Sequence, residues 1–211
     1  MKCELNDPSK EGTTMIRFYF SLTNRCPYTC PFCCMWSASD KNTFLKPERF
    51  YEIIDNANDN FEVQLEGGEP LEHPDFWDLF LYAGLKNKCK KIIISSNNIV
   101  YDRNMANKIA IFSEDRKIKV EIRPSINYHL EDRNINLTED CERFVNDLKR
   151  YKNVSVVFNV RLRKGKDEFL FGKYDFLDNA KIFYFQKYGR NEDDVDADLP
   201  FIKQNVDEFH L

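Results

Sequence analysis

Phe61-Glu62-Val63-Gln64-Leu65-Glu66 sets apolar side chains at 61, 63 and 65 and polar ones at 62, 64 and 66. Alternation of this kind describes a strand with one apolar and one polar face. Ile118, Val120 and Ile122 alternate with Lys119, Glu121 and Arg123 in the same way, and Ile16, Phe18 and Phe20 with Arg17, Tyr19 and Ser21. Strands are expected near 15–22, 61–66, 91–96, 118–124, 154–161 and 181–186, with helices near 47–58, 74–86, 102–113, 138–151 and 167–178. The βα order predicts parallel strands joined by right-handed crossovers, in an open doubly wound sheet or a complete or partial barrel. Parallel sheets are normally covered by helices, so a regular polar face needs another home. A partial (β/α)6 TIM-like barrel supplies one, with apolar residues outward under helices and charged residues inward around a polar ligand. The alternative is an open sheet with one side facing solvent.

In the barrel reading Arg17, Glu62, Glu66, Glu121, Arg123 and Arg161 share the inward parity, three of each sign. They are expected to pair with one another or with ligand, because an unpaired charge away from water is costly. Glu66, Arg123 and Arg161 lie nearer the strand carboxyl ends and are the candidate catalytic residues, facing cofactor or substrate. Arg17 and Glu62 lie deeper and are expected to serve structure. Small polar residues follow each strand, at Thr23-Asn24, Gly67-Gly68-Glu69, Ser95-Ser96-Asn97 and Pro124-Ser125 with Asn127, which is the rim where β/α folds gather ligands.

The chain has 211 residues, 42% of them apolar, enough for one domain with a real core. A core domain is expected over 1–190, with 191–211 an acidic connector or tail through Glu192 to Asp198. With 31 basic and 35 acidic side chains, the net charge of −4 gives no field that gathers a polyanion, which argues against nucleic acid. No leader pattern and no apolar run of about 18 residues is present, so no membrane partner and a cytoplasmic location are expected.

Seven cysteines form an odd set, and four crowd into Cys26–Cys34, poor spacing for disulfides and good spacing for a metal. Cys26-Pro-Tyr-Thr-Cys30-Pro-Phe-Cys33 has the pattern C-x3-C-x2-C in a loop stiffened by two prolines. Three thiolates can hold three irons of a cubane and leave the fourth open. Structural zinc needs four ligands, and Cys34, directly after Cys33, would strain a tetrahedral site. A redox Cys30/Cys33 pair leaves Cys26 unexplained. Cys3, Cys89 and Cys141 read as small buried side chains, and His73, His129 and His210 are too scattered for a metal role.

Leu22-Thr23-Asn24-Arg25-Cys26-Pro27-Tyr28-Thr29-Cys30-Pro31-Phe32-Cys33 followed by Gly67-Gly68-Glu69-Pro70 resembles the radical S-adenosylmethionine (radical SAM) superfamily, and more weakly so do Ser95-Ser96-Asn97, Ser125-Ile126-Asn127 and Tyr188-Gly189-Arg190. The resemblance implies a [4Fe–4S] cluster on Cys26, Cys30 and Cys33 and S-adenosylmethionine on its open iron. Reductive cleavage would give a 5′-deoxyadenosyl radical that abstracts hydrogen from the substrate. It places Phe32 near adenine, and Gly67 and Gly68 where the strand-end backbone meets the methionyl amino group, with Gly68→Val expected to weaken cofactor binding and spare the cluster. Glu69 would order the turn or assist the amino contact, Ser95, Asn97 and Ser125 would hold ribose or carboxylate, and Arg133 the methionyl carboxylate.

Partners implied are a peptide or small-molecule substrate and a one-electron reductant such as flavodoxin or ferredoxin. Glu66 departs from the small hydroxyl residue of many relatives, so a carboxylate is expected in the substrate space. No cysteine follows Cys141, so no second cluster is expected. The likeness of Gly189-Arg190 to peptide-modifying relatives favours a peptide or protein side chain. The competing readings are a glycyl-radical enzyme activase and, from another class, a non-catalytic metal-binding protein on a decayed version of the fold.

Overall fold

Alternation at period two and helices between strands produce one sheet in the computed structural model, which describes residues 15–97, 103–134, 136–163, 165–174, 180–184 and 204–205. The strands are β1 (Ile16–Ser21), β2 (Phe61–Glu66), β3 (Cys89–Ser96), β4 (Lys119–Ile126), β5 (Val154–Val156), β6 (Phe158–Leu162), β7 (Ala180–Tyr184) and β8 (Gln204–Asn205). Their order is β1-β2-β3-β4-β6-β7-β8, with β5 also on β4, and every pairing is parallel except β7 with β8. Helices α1 (Pro47–Asp55), α2 (Phe76–Leu85), α3 (Arg103–Arg116), α4 (Tyr128–Glu131), α5 (Leu137–Leu148) and α6 (Phe169–Lys173) alternate with them. The fold is α/β, a partial TIM-like barrel.

β5 and β6 are the two halves of the single strand expected at 154–161. They keep one register on β4, Val154 opposite Val120 and Asn159 opposite Ser125. The interruption lies across from Arg123-Pro124, where the proline brings no amide hydrogen to the ladder. Between β2 and β3 the register shifts at Phe61/Glu62, so that Lys90 is bulged out and Lys91 falls opposite Glu62. Helix α4 is too short to carry a periodic signature. It is set by Asn127, whose side chain accepts a hydrogen bond from Leu130 N. The expected helix at 167–178 is seen as Phe169–Lys173, and residues 175–179 and 185–190, including Gly189-Arg190, lie outside the described residues, as do Cys3, His210 and most of 191–211.

The apolar parity faces outward. Phe20, Phe61, Val63, Leu65, Ile92, Ile94, Val120 and Ile122 pack under helices with Phe50, Ile54, Leu79, Phe80, Ile109 and Phe144. A second cluster, with Phe158, Val160, Leu162 and Ile182 against Cys141 and Leu170, covers the other end of the sheet. Cys89 and Cys141 are buried in these layers, as expected of small apolar side chains. Among the described residues no helix is long and apolar enough to cross a membrane.

Phe80 is fully buried, stacked on Phe76 at 6.2 Å and tilted against Phe112 at 5.3 Å. Phe80→Ala should destabilise the protein by about 3–5 kcal/mol in denaturant titration, without altering the polar interior that the helices merely cover.

Candidate active site

The segment after β1 is docked by continuing the β1–β2 pairing past the ends of both strands. Leu22 N donates to Glu66 O at 2.8 Å, Gly68 N to Thr23 O at 2.7 Å and Glu69 N to Arg25 O at 2.9 Å. This contact explains the glycines. Gly67 has φ +145°, and a Cβ there would lie 2.5 Å from Thr23 O, while a Cβ on Gly68 would lie 2.3 Å from Arg25 O. The obstacle at both positions is backbone, which cannot swing away. The expectation that Gly68→Val spares a cluster is therefore corrected: the side chain would first unseat the very loop that carries the cysteines.

Cys26 is the buried cysteine of that loop. Its N–H donates to Ala38 O at 3.1 Å, and its Sγ accepts a hydrogen bond from Asn97 Nδ2 at 3.2 Å. Cys33 Sγ accepts from Ser37 N at 3.4 Å. Burial pushes the Cys26 thiol up to about 11, and it pushes Cys30 up to about 12, with Cys26 and Cys33 adding to the latter. Thiols so raised become thiolates only where a cation takes the proton's place. Among the described residues no three cysteine, histidine or carboxylate side chains stand close enough to share a single metal ion. Cys26, Cys30 and Cys33 line one cavity, and three thiolates leave the fourth iron of a cubane open, so the donor set is of the kind a cluster takes. Phe32, buried beside them, faces Tyr128 at 5.7 Å and His129 at 6.3 Å.

Glu69 is buried beneath the rim. Its Oε1 accepts from Leu71 N at 3.3 Å, and its Oε2 from Asn97 N at 2.8 Å and Ser96 Oγ at 3.2 Å. The carboxylate thereby fastens the end of β2 to the end of β3 and sets Asn97, which reaches Cys26. Burial pushes Glu69 up to about 7, against the pull of these three donors.

The cysteine loop caps a cavity of about 530 Å³ at the strand carboxyl ends, lined by the polar parity of the sheet. Cys26, Cys30, Cys33, Phe32, Gly67 and Gly68 line it, with Ser95, Asn97 and Ser125 on the rim and Glu66, Arg123 and Arg161 on the wall. Lys91 and Arg123 both donate to the Glu121 carboxylate, Arg123 Nη1 donates to Gln64 Oε1 at 3.2 Å, and Gln64 Nε2 to Glu66 Oε2 at 2.5 Å. Burial alone would raise Glu121, but Lys91 and Arg123 hold it below the usual carboxylate range. Arg17 pairs with Glu62 at 2.6 Å. Of the six inward charges, then, four form two ion pairs, Glu66 meets an amide, and Arg161 makes no ion pair among the described residues.

Arg133 is not among the cavity-lining residues. It follows α4, donates to His129 O at 3.3 Å, and lies near enough for its charge to act on Cys30 and Tyr28. His129, given no role from sequence, is buried against Phe32 and Tyr28. Lys91, Gln64, Asn159 and Lys181 were also not singled out, although each continues the inward alternation of its strand.

The sequence matches the model of the Radical SAM superfamily over residues 20–170, the greater part of the chain. This chain belongs to the radical SAM superfamily. Radical SAM enzymes use a [4Fe–4S] cluster and S-adenosylmethionine. Among solved structures it is similar to hexahistidine-tagged anSMEcpe with bound AdoMet, with a TM-score of 0.57 and 16% identity over 81% of this chain and 50% of that one. Native anSMEcpe with bound AdoMet and Cp18Cys peptide gives a TM-score of 0.58 at 14% identity, over 82% of this chain and 51% of that one. The chain thus spans about half the length of the solved structures it matches. A comparison with curated proteins gives no match.

Two outcomes follow for this radical SAM core. Gly68→Ala should lower iron incorporation on anaerobic reconstitution along with cofactor affinity, whereas full iron loading in the variant would contradict the contact with Arg25 O. Glu69, whose folded pKa lies above its ordinary value, makes a contribution to stability that is full at acid pH and lost as pH rises from about 4.5 to about 7. In iron-free protein, thermal unfolding of Glu69→Gln should lack that part of the decline, and an unchanged slope would count against it.

Proposed function

We propose that the chain cleaves S-adenosylmethionine reductively at a [4Fe–4S] cluster held by Cys26, Cys30 and Cys33, and abstracts hydrogen from a peptide or protein side chain or a small metabolite. The observation that carries this reading is the convergence of four thiols, Cys34 beside the three of the motif, on a cavity at the carboxyl ends of parallel strands. When bound, the cluster supplies one electron and the sulfonium cofactor supplies the 5′-deoxyadenosyl radical. Everything else is work for the chain.

The Gly67-Gly68 backbone, Ser95, Asn97 and Ser125 offer donors and acceptors along the rim for the methionyl and ribose groups, and Phe32 offers a face for adenine. Arg133 supplies positive charge beside Cys30 for the methionyl carboxylate. Glu66, Arg123 and Arg161 reach the remaining space, where they position substrate. Helices seal the barrel wall from outside, excluding water from a site where a carbon radical must survive. A peptide substrate is supported by the peptide bound in one anSMEcpe structure. A reductant such as flavodoxin or ferredoxin, and a reducing cytoplasm that keeps four clustered cysteines free, complete the proposal.

Protein purified and reconstituted without oxygen should hold one [4Fe–4S] cluster by iron, sulfide and EPR analysis, and dithionite should drive formation of 5′-deoxyadenosine. Changing Cys26, Cys30 or Cys33 to Ala should abolish both, and Cys34→Ala should leave the cluster largely assembled. Stoichiometric zinc without iron, or a requirement for Cys34 in place of Cys26, would sink the assignment.

A further inference from the structure

The two walls of the lumen differ in the groups they present. On the β1 to β4 wall each carboxylate already has a partner: Glu62 holds Arg17, Glu121 holds Lys91 and Arg123, and Glu66 holds Gln64. Among the described residues, the β6–β7 wall carries no carboxylate. Its inward residues are Asn159, Arg161 and Lys181, all lining the cavity, while Phe158, Val160, Leu162, Ala180 and Ile182 point into the apolar layer. Asn159 stands opposite Lys181 in register, and Arg161 follows two residues on, so two cations occupy diagonal positions on neighbouring strands.

Arg161 extends exposed into the cavity and makes no ion pair among the described residues. Beside it Asn159 Oδ1 is buried and meets no donor among the described residues, so it is an acceptor for water or a ligand to satisfy. The two observations are independent and ask for complementary atoms of one ligand: an oxyanion for the guanidinium and an N–H or O–H for the amide oxygen.

We propose that Asn159, Arg161 and Lys181 form a subsite for an oxyanion group of the substrate, a carboxylate or a phosphate, adjoining a hydrogen-bond donor. The substrate is then an acidic molecule or an acidic side chain. This rests on the radical SAM reading for what happens next, but the subsite itself is a matter of binding. Arg161 acts electrostatically on Cys30, so a group bound there lies next to the cysteine loop and within the cofactor's neighbourhood. A planar guanidinium matches either oxyanion with two parallel hydrogen bonds.

The test is anaerobic calorimetric titration of reconstituted enzyme saturated with S-adenosylmethionine, using glutarate, inorganic phosphate and the neutral glutaramide as probes. Glutarate or phosphate should bind at one site per chain and glutaramide should not. Binding of only one anion assigns the group as carboxylate or phosphate. Arg161→Gln should weaken the anion about tenfold or more, the worth of a charge-assisted hydrogen bond, and Lys181→Gln less. Affinity for S-adenosylmethionine should fall by less than about twofold in Arg161→Gln. The proposal is overturned if neither anion binds, if glutaramide binds as well, or if Arg161→Gln loses cofactor and anion affinity together, which would give Arg161 to the methionyl carboxylate. Should the protein prove to hold no cluster, the same titration of iron-free protein still reads the subsite, so the two proposals fail separately.

Discussion

Two stretches of main chain, Gly67-Gly68 after β2 and Thr23 to Arg25 after β1, approach each other with nothing between them that can relax. Carbonyls of one segment stand where any side chain of the other would begin. That contact turns two strand ends into a single platform, and the platform places the cysteines over the barrel mouth. Glu69 and Asn97 extend it to the end of β3. A site assembled from three strands is thus fixed by backbone geometry before any side chain touches a ligand.

The second constraint is the sheet's division of labour. Outward residues are aliphatic and aromatic because helices cover them, and the inward ones are polar because a cavity lies there. Charges in such a place need partners, and the β1 to β4 wall supplies them through a relay of Lys91, Glu121, Arg123, Gln64 and Glu66. A relay of this kind holds each head group in one position. On the opposite wall Arg161 lines the same cavity and makes no ion pair among the described residues.

Much of this was legible because a period of two is a direct record of which face is covered. Phe61 to Glu66 and Ile118 to Arg123 needed nothing else, and the barrel reading followed from asking where their polar face goes. The glycine pair was legible only as a place lacking Cβ atoms: the sequence does not say what approaches, and the main chain of Thr23 and Arg25 does so. Glu69 is held by Ser96 and Asn97, far along the chain, a pairing no local pattern records. Asn159 and Lys181 escaped notice because their strands are short and one is interrupted across from Pro124, so the alternation has few repeats in which to show.

The three cysteines of the loop are not equally prepared. Cys26 is anchored by a main-chain hydrogen bond to Ala38, by flanking bonds from Gly68 N and Glu69 N to Thr23 O and Arg25 O, and by Asn97 at the end of a third strand. Cys33 is tied within its own loop, through Cys33 N to Cys30 O and Ser37 N to Cys33 Sγ. Conformational entropy is accordingly surrendered at two different moments. For Cys26 it is lost when the chain folds, and for Cys33 a larger share would be lost on closing around iron.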